Sequence, residues 1–160
     1  MEKLPKQEKQ WAEYLIGDTW ELPADHDVID SAENELSRRL VEAGVSESEV
    51  LTIQMPFREA LINAIKHGTE EQLQPGEDIK TKRIFVSLNI KKEKNSVELN
   101  IVVRDQGKGF DPNNVPNPLA EENILKGSGR GILLMRSMLD SVDFNDAGNE
   151  VTLRKRFETQ

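Results

Sequence analysis

Within the stretch REALINAIKHG, Arg58 to Gly68, a carboxylate, an amide and an imidazole recur at fourth positions, as Glu59, Asn63 and His67. On a helix that spacing sets them in one line, because side chains at i and i+4 are neighbours. Phe57, Leu61, Ala64 and Ile65 occupy the other side. Such a row can orient a hydroxyl, accept its proton, or hold a hard cation through oxygen. Standing alone it also reads as a solvated face whose final histidine suits the negative end of the helix dipole. A second stretch, RDQGKGF from Arg104 to Phe110, places Asp105 just ahead of Gly107 and Gly109. At the end of a buried strand this supplies a fixed acceptor and a backbone that a ligand can approach closely; the same residues also make a simple Asp-Gly turn. In a third stretch, GSGRGILLM, Gly127, Gly129 and Gly131 precede an apolar helix. Free N–H groups at a helix start suit phosphate, and the composition equally suits a flexible linker.

The elements that must position these groups can be read from the periodicity. TWELPA, residues 19 to 24, is a first edge strand ended by Pro23. From about Asp27 to Ala43, Ile29, Ala32, Leu36 and Leu40 mark a helix, with Gly44 past its end. A second helix starts at the Ser46/Glu49 capping box and carries Val50, Ile53, Phe57, Leu61 and Ile65 up to Gly68. Pro56 is expected to kink it or to restart it. TEEQLQPGEDIKTK, residues 69 to 82, is expected to be an exposed loop, longer than such a connection needs. The period then changes to two: RIFVSLNIK and SVELNIVVRD form a hairpin around KKEKN. A Pro/Asn/Gly-rich loop follows Phe110, then a helix from about Arg130 to Leu139 and two strands, VDFN and EVTLRKRF, joined by DAGN. The fold expected is α+β, a two-layer α/β sandwich with a mostly antiparallel sheet and helices on one face.

The chain's 160 residues suit one domain. A formal charge of −8 speaks against a domain that coats nucleic acid. No apolar run approaches the ~20 residues that span a bilayer, and MEKLPKQEKQWAEYL lacks the apolar core of a secretion signal. The absence of cysteine excludes disulfides and thiolate metal sites and makes a reducing cytoplasm the expected setting.

The boxes in this order, an acid-amide helix face, a strand ending in Asp-x-Gly-x-Gly, a long loop and a glycine-rich helix start, resemble the Bergerat-type ATP-binding fold of gyrase, histidine kinases, heat-shock chaperones and mismatch-repair ATPases. Within it the chain resembles the anti-sigma-factor serine kinases. The resemblance covers roughly residues 18 to 157, with residues 1 to 17 as an N-terminal arm outside the 18–160 ATPase domain. It implies that Glu59 is the catalytic acid and that Asn63 holds Mg²⁺ against the ATP phosphates. It implies that Asp105 accepts a hydrogen bond from the adenine amino group, while Gly107 and Gly109 let the chain pass close to the nucleotide. Phe110 would begin a lid in which Gly127, Gly129 and Gly131, with Lys126 or Arg130 supplying charge, close over the triphosphate. His67 and Gly68 match the end of the first box, with His67 a candidate contact.

The function implied is an ATP-dependent serine/threonine protein kinase acting as an anti-sigma factor: it would phosphorylate a small antagonist protein and alternately sequester a sigma factor. A nucleotide-responsive partner-binding module without kinase activity is the alternative. A histidine-kinase catalytic domain would need a phospho-acceptor histidine on a dimerising helix pair, and residues 1 to 17 hold no histidine. For docking of the sigma factor or antagonist, Arg38 and Arg39 are the candidate basic pair, a solvated pair being the other reading. Relatives of this type often form homodimers.

Overall fold

The computed structural model describes residues 10–109 and 130–159, of which residues 130, 131 and 134 are described by their backbone alone. Five strands, β1 (Thr19–Pro23), β2 (Arg83–Lys92), β3 (Ser96–Arg104), β4 (Ser141–Phe144) and β5 (Glu150–Glu158), form one sheet in the order β1-β2-β3-β5-β4. Every neighbouring pair is antiparallel. Among the described residues three helices accompany it: α1 (Val28–Glu42), α2 (Glu47–Lys66) and α3 (Arg130–Met138). Alternation decides which sheet face they cover. Trp20, Leu22, Ile84, Val86, Ile101, Val103, Leu153 and Phe157 are buried beneath the helices, whereas Ser87, Asn89, Arg154 and Arg156 face out. Register keeps this division across the sheet, with Val86 opposite Val103 and Val103 opposite Val151.

Helix α2 lies at the centre of the layer, against α1 and α3 and against strands β2, β3 and β5. Ser46 caps it, its Oγ accepting the Glu49 N–H at 3.3 Å. Of the two outcomes expected at Pro56, the restart does not occur: the helix runs through it as one element. The ring removes the N–H that Thr52 C=O would accept, a cost of about 3 kcal/mol. Ile53, Phe57 and Leu61 are fully buried on the same segment, and at about 1.5–3 kcal/mol each they outweigh it. Arg58 reaches across to Glu33 at 2.8 Å and to Asp30 on α1, which sets the two helices against each other.

The basic pair on α1 is engaged within the chain. Arg38 bonds Glu35 and Glu42, each at 2.6 Å. Arg39 donates to the carbonyls of Gly17 and Leu15, at 2.7 and 3.0 Å, and lies over the Trp20 ring. It thereby fastens the segment before β1, from which Trp11 and Leu15 enter the hydrophobic core.

Residues 69 to 82 form a largely exposed connection, as expected. They contain two short 3₁₀ turns, Glu70–Gln72 and Ile79–Thr81, and Thr69 is buried with its hydroxyl donating to Ala64 C=O at 2.9 Å. The segment folds back on the end of α2 and on the turn after β3. Several of its polar side chains, Thr69, Gln72 and Asp78 among them, bond backbone groups, which composition alone does not reveal.

Candidate functional site

Glu59 and Asn63 lie one turn apart on α2, both half-buried. Neither side chain makes a hydrogen bond or ion pair among the described residues, although Glu59's neighbour Arg58 pairs with both Glu33 and Asp30. A carboxylate and an amide held on a rigid helix with their oxygens uncommitted are groups able to receive a hydroxyl and a hard cation. His67, at the helix end, is exposed and spends its Nδ1 on Glu71 Oε2 at 2.8 Å, so the imidazole faces its own segment. Some 12 Å of helix axis separates Glu59 from His67 at 1.5 Å per residue.

Past that end, α2 meets the turn after β3. Asp105 is buried, with 8% of its surface exposed. Its N–H donates to Asn149 C=O at 2.9 Å, and its Oδ1 accepts the Gly107 N–H at 2.8 Å, while Oδ2 has no hydrogen bond among the described residues. Burial pushes the carboxyl above its usual range, and the Gly107 N–H partly opposes that shift. The closeness of these parts depends on glycine. A Cβ on Gly68 would stand 2.2 Å from Asp105 Oδ2, and one on Gly107 would stand 2.2 Å from Gly68 C=O. At Gly109 a φ of +78° and a Cβ 1.8 Å from Ala147 C=O exclude a side chain twice over.

Asp105 and Gly107 thus lie against Gly68, past the end of α2, while Gly109 lies against Ala147 in the turn between β4 and β5. Glu59 and Asn63 lie farther along the same helix. Arg130 and Gly131 open α3; Phe110, Lys126, Gly127 and Gly129 lie outside the described residues. A cleft opens beside Asp105, lined by Gly68, Thr69, Gln72, Gln106, Gly107 and Lys108 among others. Asp105 itself is not among the residues lining that cleft.

Gln72 and Asn149 were not anticipated from the sequence. Asn149 Nδ2 donates to Gly107 C=O at 3.2 Å, and Asn145 accepts Asn149 N–H and Glu150 N–H through Oδ1. The available signal was the asparagine at both ends of NDAGN, which reads locally as turn chemistry.

Residues 22–155 match the family described as Histidine kinase-like ATPase domain. The chain is similar to proteins named Serine-protein kinase RsbW: at 26% identity to that of Staphylococcus epidermidis and at 25% to that of Staphylococcus aureus, over 141 residues in each case, 84% of this chain and 82% of the relative. The sheet order, the acid-amide helix and the buried aspartate meet in a match that covers most of the chain, and the chain belongs to the histidine kinase-like ATPase domain family.

Proposed function

We propose that the chain is an ATP-dependent serine/threonine protein kinase that acts as an anti-sigma factor, phosphorylating a small antagonist protein. The observation that carries this reading is the pairing of an uncommitted Glu59 and Asn63 on one helix with a buried, half-satisfied Asp105 at that helix's end. The similarity to the RsbW kinases supports it. ATP supplies the phosphoryl group, and Mg²⁺ neutralises charge on its phosphates. Asp105 Oδ2 accepts from the adenine amino group, and the bare backbone at Gly107 and Gly109 lets the base lie close. Asn63 presents its side-chain oxygen to the cation. Glu59 orients the incoming Ser or Thr hydroxyl and takes its proton late, a role that asks little basicity of a carboxylate because positioning does most of the work in phosphoryl transfer. Lys126, Arg130 and the glycines at 127, 129 and 131 complete the phosphate side.

The test is incubation with labelled ATP, with and without Mg²⁺, and a candidate antagonist. Glu59→Ala is expected to cut transfer by about 10²–10⁴-fold with nucleotide affinity retained. Unchanged transfer in the variant removes Glu59 from its role, and tight ATP binding without transfer to any antagonist leaves a nucleotide-responsive binding module instead.

A further inference from the structure

We propose that Gln72 is a positioning residue for the nucleotide, a strut that sets the distance between the two halves of the site; this rests on the nucleotide reading of the same site. Its side-chain Nε2 donates to His67 C=O at 3.0 Å, at the end of α2. Its Oε1 accepts the Lys108 N–H at 2.6 Å, within the Asp-x-Gly-x-Gly turn. One amide therefore joins the helix that carries Asn63 to the turn that carries Asp105, across 36 residues of sequence. An amide serves both ends because it holds a donor and an acceptor on one planar group.

The surroundings leave the strut little play. A Cβ on Gly107 would stand 2.8 Å from Gln72 Oε1, so the side chain is already packed against the turn. Thr69 pins the start of the same segment to Ala64 C=O at 2.9 Å, and the 3₁₀ turn Glu70–Gln72 gives Gln72 a defined direction. From the opposite side Asn149 Nδ2 holds Gly107 C=O. The turn is gripped between two side-chain amides, one from each flank. Gln72 adds hydrogen bonds to the direct packing of Gly68 on Asp105 and Gly107, and so helps to fix Asp105 relative to the row of Asn63 and Glu59. The length of residues 69 to 82 acquires a purpose, since a shorter connection to β2 would have no residue at this place.

The experiment compares wild type, Gln72→Ala, Gln72→Glu and Gln74→Ala. The readouts are the dissociation constants for ADP and a non-hydrolysable ATP analogue, melting temperature without ligand, and hydrogen exchange at the Lys108 amide. Loss of two hydrogen bonds in Gln72→Ala should weaken nucleotide binding about tenfold and deprotect Lys108, with a modest fall in the unliganded melting temperature. Gln72→Glu keeps the acceptor for Lys108 N–H, loses the donor to His67 and should fall between. Gln74→Ala removes only a 3.5 Å contact and should match wild type. In turnover with an antagonist, KM for ATP should rise while kcat holds, because the phosphate end is remote from the strut. Wild-type affinity in Gln72→Ala overturns the strut and leaves the nucleotide reading intact. Equal losses in Gln72→Ala and Gln74→Ala also overturn it, by assigning the effect to the segment as a whole. Absence of nucleotide binding by wild type overturns both.

Discussion

The two ends of the candidate site are built on opposite principles. Around Asp105, main-chain and side-chain groups are bonded to one another, glycines remove every atom that would separate them, and a single carboxylate oxygen is left over. The side chains of Glu59 and Asn63 have no hydrogen bond among the described residues, although both are half-buried. One end is part of the fold's own hydrogen-bond economy and is complete without ligand; the other is held only by helix geometry and has its polar atoms in reserve. Shape selection at the first and chemistry at the second then need no common rearrangement. A mutation at the first end should therefore disturb stability, and one at the second should not.

The largest effect is expected where a side chain is forced into the packed end. Gly107→Ala must push Gly68 C=O or the Asp105 carboxylate aside and should destabilise the protein by about 3 kcal/mol, read as a lowered urea midpoint, and abolish nucleotide binding with it. A variant as stable as wild type would break the contrast, because it would mean that the turn is loose. Asp105→Asn is the next in size. Asparagine still accepts Gly107 N–H, but loss of the charge in the bond to the adenine amino group should weaken ATP binding about tenfold.

The wild-type pH dependence follows from the direction of the shift. Burial raises the folded-state pKa of Asp105 above its unfolded value. The ionised carboxylate is thus a cost to folding that is present above the folded pKa and is relieved as pH falls through it toward the unfolded value. Nucleotide affinity should decline over the same acid window, in which Asp105's own contribution to stability improves. Parallel titrations of binding and melting should show the opposed slopes, and Asp105→Asn should lose both; a binding curve flat through that window would separate Asp105 from the ligand. The smallest effect is expected at the open end. Glu59→Gln and Asn63→Ala should change unfolding free energy by less than about 0.5 kcal/mol, and a larger loss would show that these residues hold the fold as well.

The periodic parts of the chain were legible because one residue type repeats against one environment. Val97, Leu99, Ile101 and Val103 alternate along β3 and are all buried; Ile29, Ala32, Leu36 and Leu40 recur on α1 and are buried too. At Pro56 a local rule left two outcomes open, and packing that the rule does not contain carries the helix through without a restart. Residues 69 to 82 read correctly as an exposed connection, but their contacts did not: Gln72 meets Lys108, and Arg83 N–H meets Gln106 at 3.0 Å, between distant positions that leave no period in the sequence. Trp11 and Leu15 joined the core without enough neighbours of their own kind to declare a face. At the site, Asp105 and its glycines stood out by spacing, whereas Asn149 was hidden inside ordinary turn composition.

The order of strands also governs when the site can come into being. β3 has β5 as one of its two partners, with Arg154 bonded to Asn100 at 2.9 Å across 54 residues. Closing so long a loop has an entropic cost that local contacts do not offset in advance. During synthesis, β1 and the β2–β3 hairpin can assemble early, but the carbonyl of Asn149 that receives Asp105 N–H arrives only as β5 emerges. The aspartate therefore waits, on a strand with an open edge, until β5 has emerged. Until then the edge of β3 is the surface that has most need of protection from other chains.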